Sequence, residues 1–155
     1  MPNRMERAEG VAADQTYFDL CRMASESSAD RDTQVGCVVV KGTAVLVRGC
    51  NTFPQGLTDP TGERSVRPGK YTWIEHAERN AIYSAARIGT KIAGATMYVD
   101  LMPCVECARA IIQAGIYEVI VSADRMSRYE SDKYSEQHAL AELMLREAGV
   151  SMRRV

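Results

Sequence analysis

Apolar and polar residues along the chain recur at two different periods. Tyr17, Phe18, Cys21 and Ala24 repeat at helical spacing, and Asp14 stands before them as a good N-cap, which predicts a helix through about Ser27. Ser28 to Gln34 is a polar connection, and the apolar run Val35 to Val40 reads as a buried strand. Lys41-Gly42-Thr43 is a turn, and Ala44 to Asn51 is a second strand completing a hairpin. No period survives from Thr52 to Tyr71, where Pro54, Gly56, Pro60, Gly62, Pro68 and Gly69 break any helix. A connection of that length often walls a functional site. Helical spacing returns at Ala77, Ala81, Ala85 and Ile88, predicting a helix over about Glu75 to Arg87. Thr96 to Asp100 is a strand, Pro103 opens a helix through about Ala114, and Gly115 ends it. Tyr117 to Ser122 is a strand, Ala123 to Glu136 a polar loop, Gln137 to Ala148 a helix stopped by Gly149, and Val150 to Val155 a last strand.

The order α-β-β-α-β-α-β-α-β predicts an α/β sandwich built on a mixed sheet. The 155 residues suffice for one domain. Residues 14–155 are assigned to that domain, and the charged stretch Met1 to Ala13 to an N-terminal tail. Nineteen Lys and Arg face twenty Asp and Glu, a net charge of −1 that gives no electrostatic footprint for long nucleic acids or a membrane surface. No run approaches the ~20 apolar residues of a membrane span, and the first residues lack the apolar core of a secretory signal. A cytoplasmic protein is expected. The five cysteines are an odd number, which argues against a disulfide framework and leaves Cys104 and Cys107, three residues apart, to be read as metal chemistry.

Cys104 and Cys107 fall in the first turns of a predicted helix, so both thiols point to one side. The partly positive helix N-terminus favours thiolates there. With His76 they make a set of two thiolates and one imidazole that suits Zn2+ and leaves a fourth tetrahedral position open, as catalytic zinc sites do. Glu78, two residues after His76, projects roughly 200° away from it if both are helical. It is therefore a poor fourth ligand. It is well placed as a proton carrier if His76 lies at the frayed start of the helix.

His76-Ala77-Glu78 followed by Pro103-Cys104-Val105-Glu106-Cys107 matches the zinc deaminase signature. The chain here resembles the cytidine and deoxycytidylate (dCMP) deaminase superfamily, and most closely its dCMP branch. The resemblance is carried by His76 to Ile82, Gly94 to Val99, Pro103 to Arg109, Ile112 to Ile116, Asp132-Lys133-Tyr134 and Ala148-Gly149-Val150. It implies a three-layer sandwich with a mixed five-stranded sheet flanked by helices. It also implies a small nucleotide or nucleobase as substrate, and assembly into a homo-oligomer. Zinc would be held by His76, Cys104 and Cys107, and Glu78 would shuttle protons from the zinc's water to the ring and to the departing ammonia.

Around the substrate the resemblance implies Asn51, Ala77, Arg87 and Tyr134. Asn51 would meet the sugar or base, Arg87 the phosphate, and Tyr134 would close the pocket. Arg64 and Arg67 in the long loop are further phosphate candidates, and Tyr71 and Trp73 are candidates for stacking on the base. Where the family commonly has Tyr-Asn-Gly, this chain has Cys50-Asn51-Thr52, so a residue with a side chain replaces glycine beside the expected sugar contact. That departure keeps a free base, a nucleoside or another amino-heterocycle as the rival substrate. Editing of tRNA fits the charge poorly. A non-catalytic zinc protein that binds nucleotides is the alternative from another class, against which Glu78 stands. His138 reads as a surface residue, and Cys21, Cys37 and Cys50 as small hydrophobes.

Overall fold

The structure is a computed structural model that describes the backbone of residues 4–129 and 132–155, and side chains over 10–127 and 135–155. Five strands form one sheet: β1 (Gly36–Lys41), β2 (Ala44–Cys50), β3 (Thr96–Val99), β4 (Glu118–Val121) and β5 (Ser151–Arg154), in the order β2-β1-β3-β4-β5. β1 runs antiparallel to both β2 and β3, whereas β3, β4 and β5 are parallel. The helices are α1 (Arg4–Ser25), α2 (Lys70–Trp73), α3 (Ala77–Ile88), α4 (Val105–Gln113), α5 (Ala123–Tyr129) and α6 (Asp132–Glu147).

Strand alternation divides the core in two. Cys37, Val39, Met97, Val99, Val119 and Val121 point to one face and pack with Ala77, Ala81 and Ala85 of α3, Ala108 and Ile111 of α4, and Leu145 of α6. Val38, Val40, Tyr98 and Ile120 point to the other and meet Cys21, Tyr17 and Phe18 of α1. The sandwich therefore has three layers, as the resemblance implies. Among the described residues no helix is long and apolar enough to cross a membrane.

Two predicted elements differ. The first helix begins at Arg4 rather than Asp14, so residues 4–13, expected as part of a tail, are helical; Met1 to Asn3 lie outside the described residues. Asp14 is not a cap. It is buried inside the helix, where Tyr98 Oη donates to its Oδ1 (2.7 Å) and Arg153 Nη1 to its Oδ2 (3.1 Å). Its acceptors serve tertiary partners instead of local N–H groups. Likewise Ala123 to Glu136 is not a loop: α5 and the start of α6 occupy most of it. The buried Met126 anchors α5 against the core, which its polar neighbours conceal in the sequence.

Candidate active site

The site forms where the N-termini of α3 and α4 meet at one end of the sheet. His76 is the N-cap of α3 with extended backbone (φ −70°, ψ 152°), and Cys104 is the N-cap of α4 (φ −74°, ψ 172°). Because His76 is off the helix, its ring swings free of the helical rotation that separates it from Glu78. Its Nδ1 lies 3.6 Å from Cys104 Sγ and 3.5 Å from Cys107 Sγ. Metal bonds of ~2.3 Å to sulfur and ~2.0–2.1 Å to nitrogen at a tetrahedral angle put those atoms roughly 3.5–3.6 Å apart, so the donor set has the spacing of a tetrahedral metal centre. Among the described residues these three are the one cluster of such donors.

Charge is arranged to suit. Cys104 is pushed down to about 3, first by the Cys107 thiol that donates to it, then by His76 and the Cys107 N–H, which together outweigh burial. Cys107 is pushed up, first by its side-chain contact with Cys104 and then by burial. Glu78, in the first turn of α3, is 5% exposed and shares a cavity with His76 and Cys104. Burial raises its carboxyl above the usual range, against the pull of His76 and Arg79.

Arg79 links the two ligand-bearing termini. Its guanidinium donates to Glu75 Oε1 (Nε, 2.6 Å) and Glu106 Oε2 (3.0 Å), and the same Glu75 oxygen accepts from the His76 N–H (3.0 Å). Asn80 Nδ2 donates to Cys50 O (2.8 Å), tying α3 to the end of β2. Close approach is possible because Gly49 has no side chain: a Cβ there would collide with Ala77 O and lie 2.7 Å from Ala81 N.

The cavity encloses about 660 Å³. Asn51 and Ala77 line it beside the metal donors and Glu78. Asn51 is also a clamp: its Oδ1 accepts from Ser28 Oγ (2.6 Å) and Val35 N (2.8 Å), and its Nδ2 donates to Thr33 O (2.7 Å). Arg87 is elsewhere, exposed in the last turn of α3 and away from the cavity lining. Nine residues beyond Glu78, it stands ~14 Å along the helix axis. The backbone of Tyr134 is in α6, and its side chain lies outside the described residues; the same holds for Tyr129 in α5. Tyr71 lines the cavity, whereas Trp73 carries the Arg64 guanidinium 3.8 Å from its ring centre. Thr52 causes no backbone strain: it pairs with Glu75 in a short antiparallel bridge, and no described residue other than glycine has positive φ.

Several cavity residues escaped the sequence reading. His138, expected at the surface, is half-buried and lines the cavity, as does Met126. Lys70 lines it too and is buried, its Nζ 2.9 Å from Asp30 Oδ2 and 3.1 Å from Asp32 Oδ2. No local pattern marks a lysine whose partners lie some forty residues earlier.

Residues 11–123 match the family profile of the cytidine and deoxycytidylate deaminase zinc-binding region. The chain belongs to this family. It is 38% identical over 147 residues to the deoxycytidylate deaminase of Homo sapiens, a match spanning 89% of this chain and 76% of the human protein. It is 31% identical over 166 residues to a probable deoxycytidylate deaminase of Drosophila melanogaster, spanning 99% of this chain and 77% of the relative. Its fold matches that of the dCMP deaminase of cyanophage S-TIM5 solved with dCMP and dUMP, with a TM-score of 0.70 and 24% identity over 91% of this chain and 95% of the phage chain. The family's zinc-binding region thus contains the His76, Cys104 and Cys107 cluster.

Proposed function

We propose that this protein deaminates dCMP, converting dCMP and water to dUMP and ammonia. The observation that carries the reading is the open three-donor cluster of His76, Cys104 and Cys107 with the buried Glu78 in the same cavity. The likeness to deoxycytidylate deaminases across nearly all of the chain supports the choice of substrate.

Zinc fits the donors in chemistry and spacing, and when bound there it polarises a water and brings its pKa towards ~7. The protein's own groups supply the rest. Glu78 takes a proton from the attacking water and delivers it to the ring nitrogen, then takes the remaining proton of that oxygen and passes it to the amine, so that ammonia leaves as the carbonyl forms. Ala77 and Asn51 bound the space beside it and set where the ring and sugar lie. Burial keeps bulk water from competing for the Glu78 proton.

The five cysteines are all free thiols, which fits a reducing, cytoplasmic setting. Assembly into a homo-oligomer is part of the same reading, supported by Tyr83 and Ile88, apolar side chains more than half exposed on α3. The test is ammonia release by zinc-loaded protein from dCMP, deoxycytidine, cytosine and guanine. The expected order places dCMP first in kcat/KM, and a preference for any compound lacking phosphate overturns the assignment.

A further inference from the structure

Of the three lysine and arginine side chains lining the cavity, two are held by carboxylates and one is not. Lys70 is held between Asp30 and Asp32, and Arg79 between Glu75 and Glu106. His76 faces the two cysteines. Arg67 lines the same cavity, is exposed, and has no ion pair or side-chain hydrogen bond among the described residues. Of the other arginines considered for an anionic group, Arg64 donates to Thr58 O (2.7 Å) and lies on the Trp73 ring, and Arg87 is outside the cavity.

The backbone that carries Arg67 is pinned on both sides. Before it, Asp59 accepts from Arg64 N (3.1 Å), Ser65 N (3.0 Å) and Ser65 Oγ (2.6 Å). After it, Lys70 N donates to Val66 O (2.9 Å), and the Lys70 ammonium is buried against Asp30. An unpaired guanidinium lining a cavity from an anchored turn can meet an anion without backbone reordering, so that only its own side-chain rotamers remain to be fixed. Arginine meets phosphate oxygens through two parallel N–H donors, which suits a terminal phosphate better than a point charge does.

We propose that Arg67 binds the 5′-phosphate of the substrate and sets the preference for nucleotide over nucleoside. The proposal rests on the dCMP reading above. It also moves the phosphate contact from the end of the zinc helix to the long loop, giving the irregular stretch 53–69 a specific task.

The experiment is steady-state kinetics of zinc-loaded wild type, Arg67→Ala, Arg67→Lys and Arg87→Ala on dCMP and deoxycytidine. Calorimetric binding of dUMP and deoxyuridine adds a readout free of turnover, and thermal melting checks each variant's fold. In wild type, dCMP is preferred and its KM rises with ionic strength. Arg67→Ala is expected to lower kcat/KM for dCMP by roughly 10- to 150-fold, mainly through KM, and to weaken dUMP similarly. Its effects on deoxycytidine and deoxyuridine should be small by comparison, and Arg67→Lys should recover part of the loss. Three results overturn the proposal while leaving dCMP as substrate: an unchanged dCMP KM in Arg67→Ala, an equal loss on dCMP and deoxycytidine, or the phosphate-specific loss appearing in Arg87→Ala instead. A wild type indifferent to the phosphate overturns the substrate reading as well.

Discussion

A single carboxylate separates a metal site that binds from one that turns over. Glu78 is buried next to the metal donors and lies outside the metal-ligand cluster. Glu78→Gln keeps its shape and polarity while removing its proton chemistry. The variant is expected to fold and hold zinc like wild type but to lose at least ~10²–10⁴-fold in turnover, since in the proposed mechanism the residue acts at more than one transfer. Metal analysis beside ammonia release checks this, and equal rates in the two proteins would sink the shuttle role. Cys104→Ala has the opposite signature. It removes one of three donors, so zinc content and thermal stability both fall. Adding a chelator to wild type should lower Tm in the same direction, because a ligand that binds only the folded state stabilises it by mass action.

At the scale of elements, the site depends on how closely α3 approaches β2. Gly49 sits under the first turn of α3, against the backbone of Ala77 and Ala81. Gly49→Ala forces the helix away from the strand. A destabilisation of ~1–3 kcal/mol is expected from overpacking, together with weaker zinc binding, because His76 and Glu78 move with the helix. Gly10 offers the contrast: in α1, a Cβ would meet nothing within 4 Å. Gly10→Ala should stabilise by up to ~1 kcal/mol through helix propensity alone. Urea unfolding of the two variants distinguishes packing from propensity, and opposite signs are the expected outcome.

At the scale of the molecule, the buried Lys70 joins α2, and through it the long loop, to the polar connection after α1. Lys70→Met leaves Asp30 buried without its cation, and breaking a buried pair typically costs ~3–5 kcal/mol. Adding Asp30→Asn should restore part of that, so the two changes are not additive. The pH dependence follows from both partners. For Asp30, burial raises the carboxyl, but the hydrogen bonds from Lys70 and from the N–H groups of Asp32 and Thr33 hold it below its ordinary range. Its contribution is thus present above the unfolded value of ~3.9 and fades as pH falls through the folded one. For Lys70, burial opposes the charge but the two aspartates raise its pKa, so its contribution is complete below ~10.4 and fades as pH rises through the folded value. The stability gap between wild type and Lys70→Met should therefore be widest from about pH 4 to 10 and narrow on either side. Denaturant titrations across that range would show it, and a gap independent of pH would exclude the ion pair as its cause.

The sequence by itself determined the strands, the middle helices and the grouping of His76, Cys104 and Cys107. Those features are local: an apolar run, a helical repeat, or two cysteines one turn apart beside a proline state their structure within a few residues. The three-residue spacing from Cys104, the N-cap of α4, to Cys107 in its first turn, and the two-residue spacing from His76 to Glu78, are legible in the same way. Tertiary structure decided whatever depends on partners distant in the chain. Asp14 has the side chain of a cap, yet Tyr98 and Arg153, from strands far along the sequence, claim its oxygens inside a helix. The stretch after β4 looks polar, but burial of Met126 makes helix of it. Arg87 has a helical spacing that suits a phosphate contact, and the straight rise of α3 carries it out of the cavity. Arg67 looks like one more loop cation until the carboxylates around Lys70 and Arg79 show which charge is left over. Periodicity reports which face a residue occupies on its own element; which element packs against that face, and which charge remains unneutralised there, is settled only when the layers close.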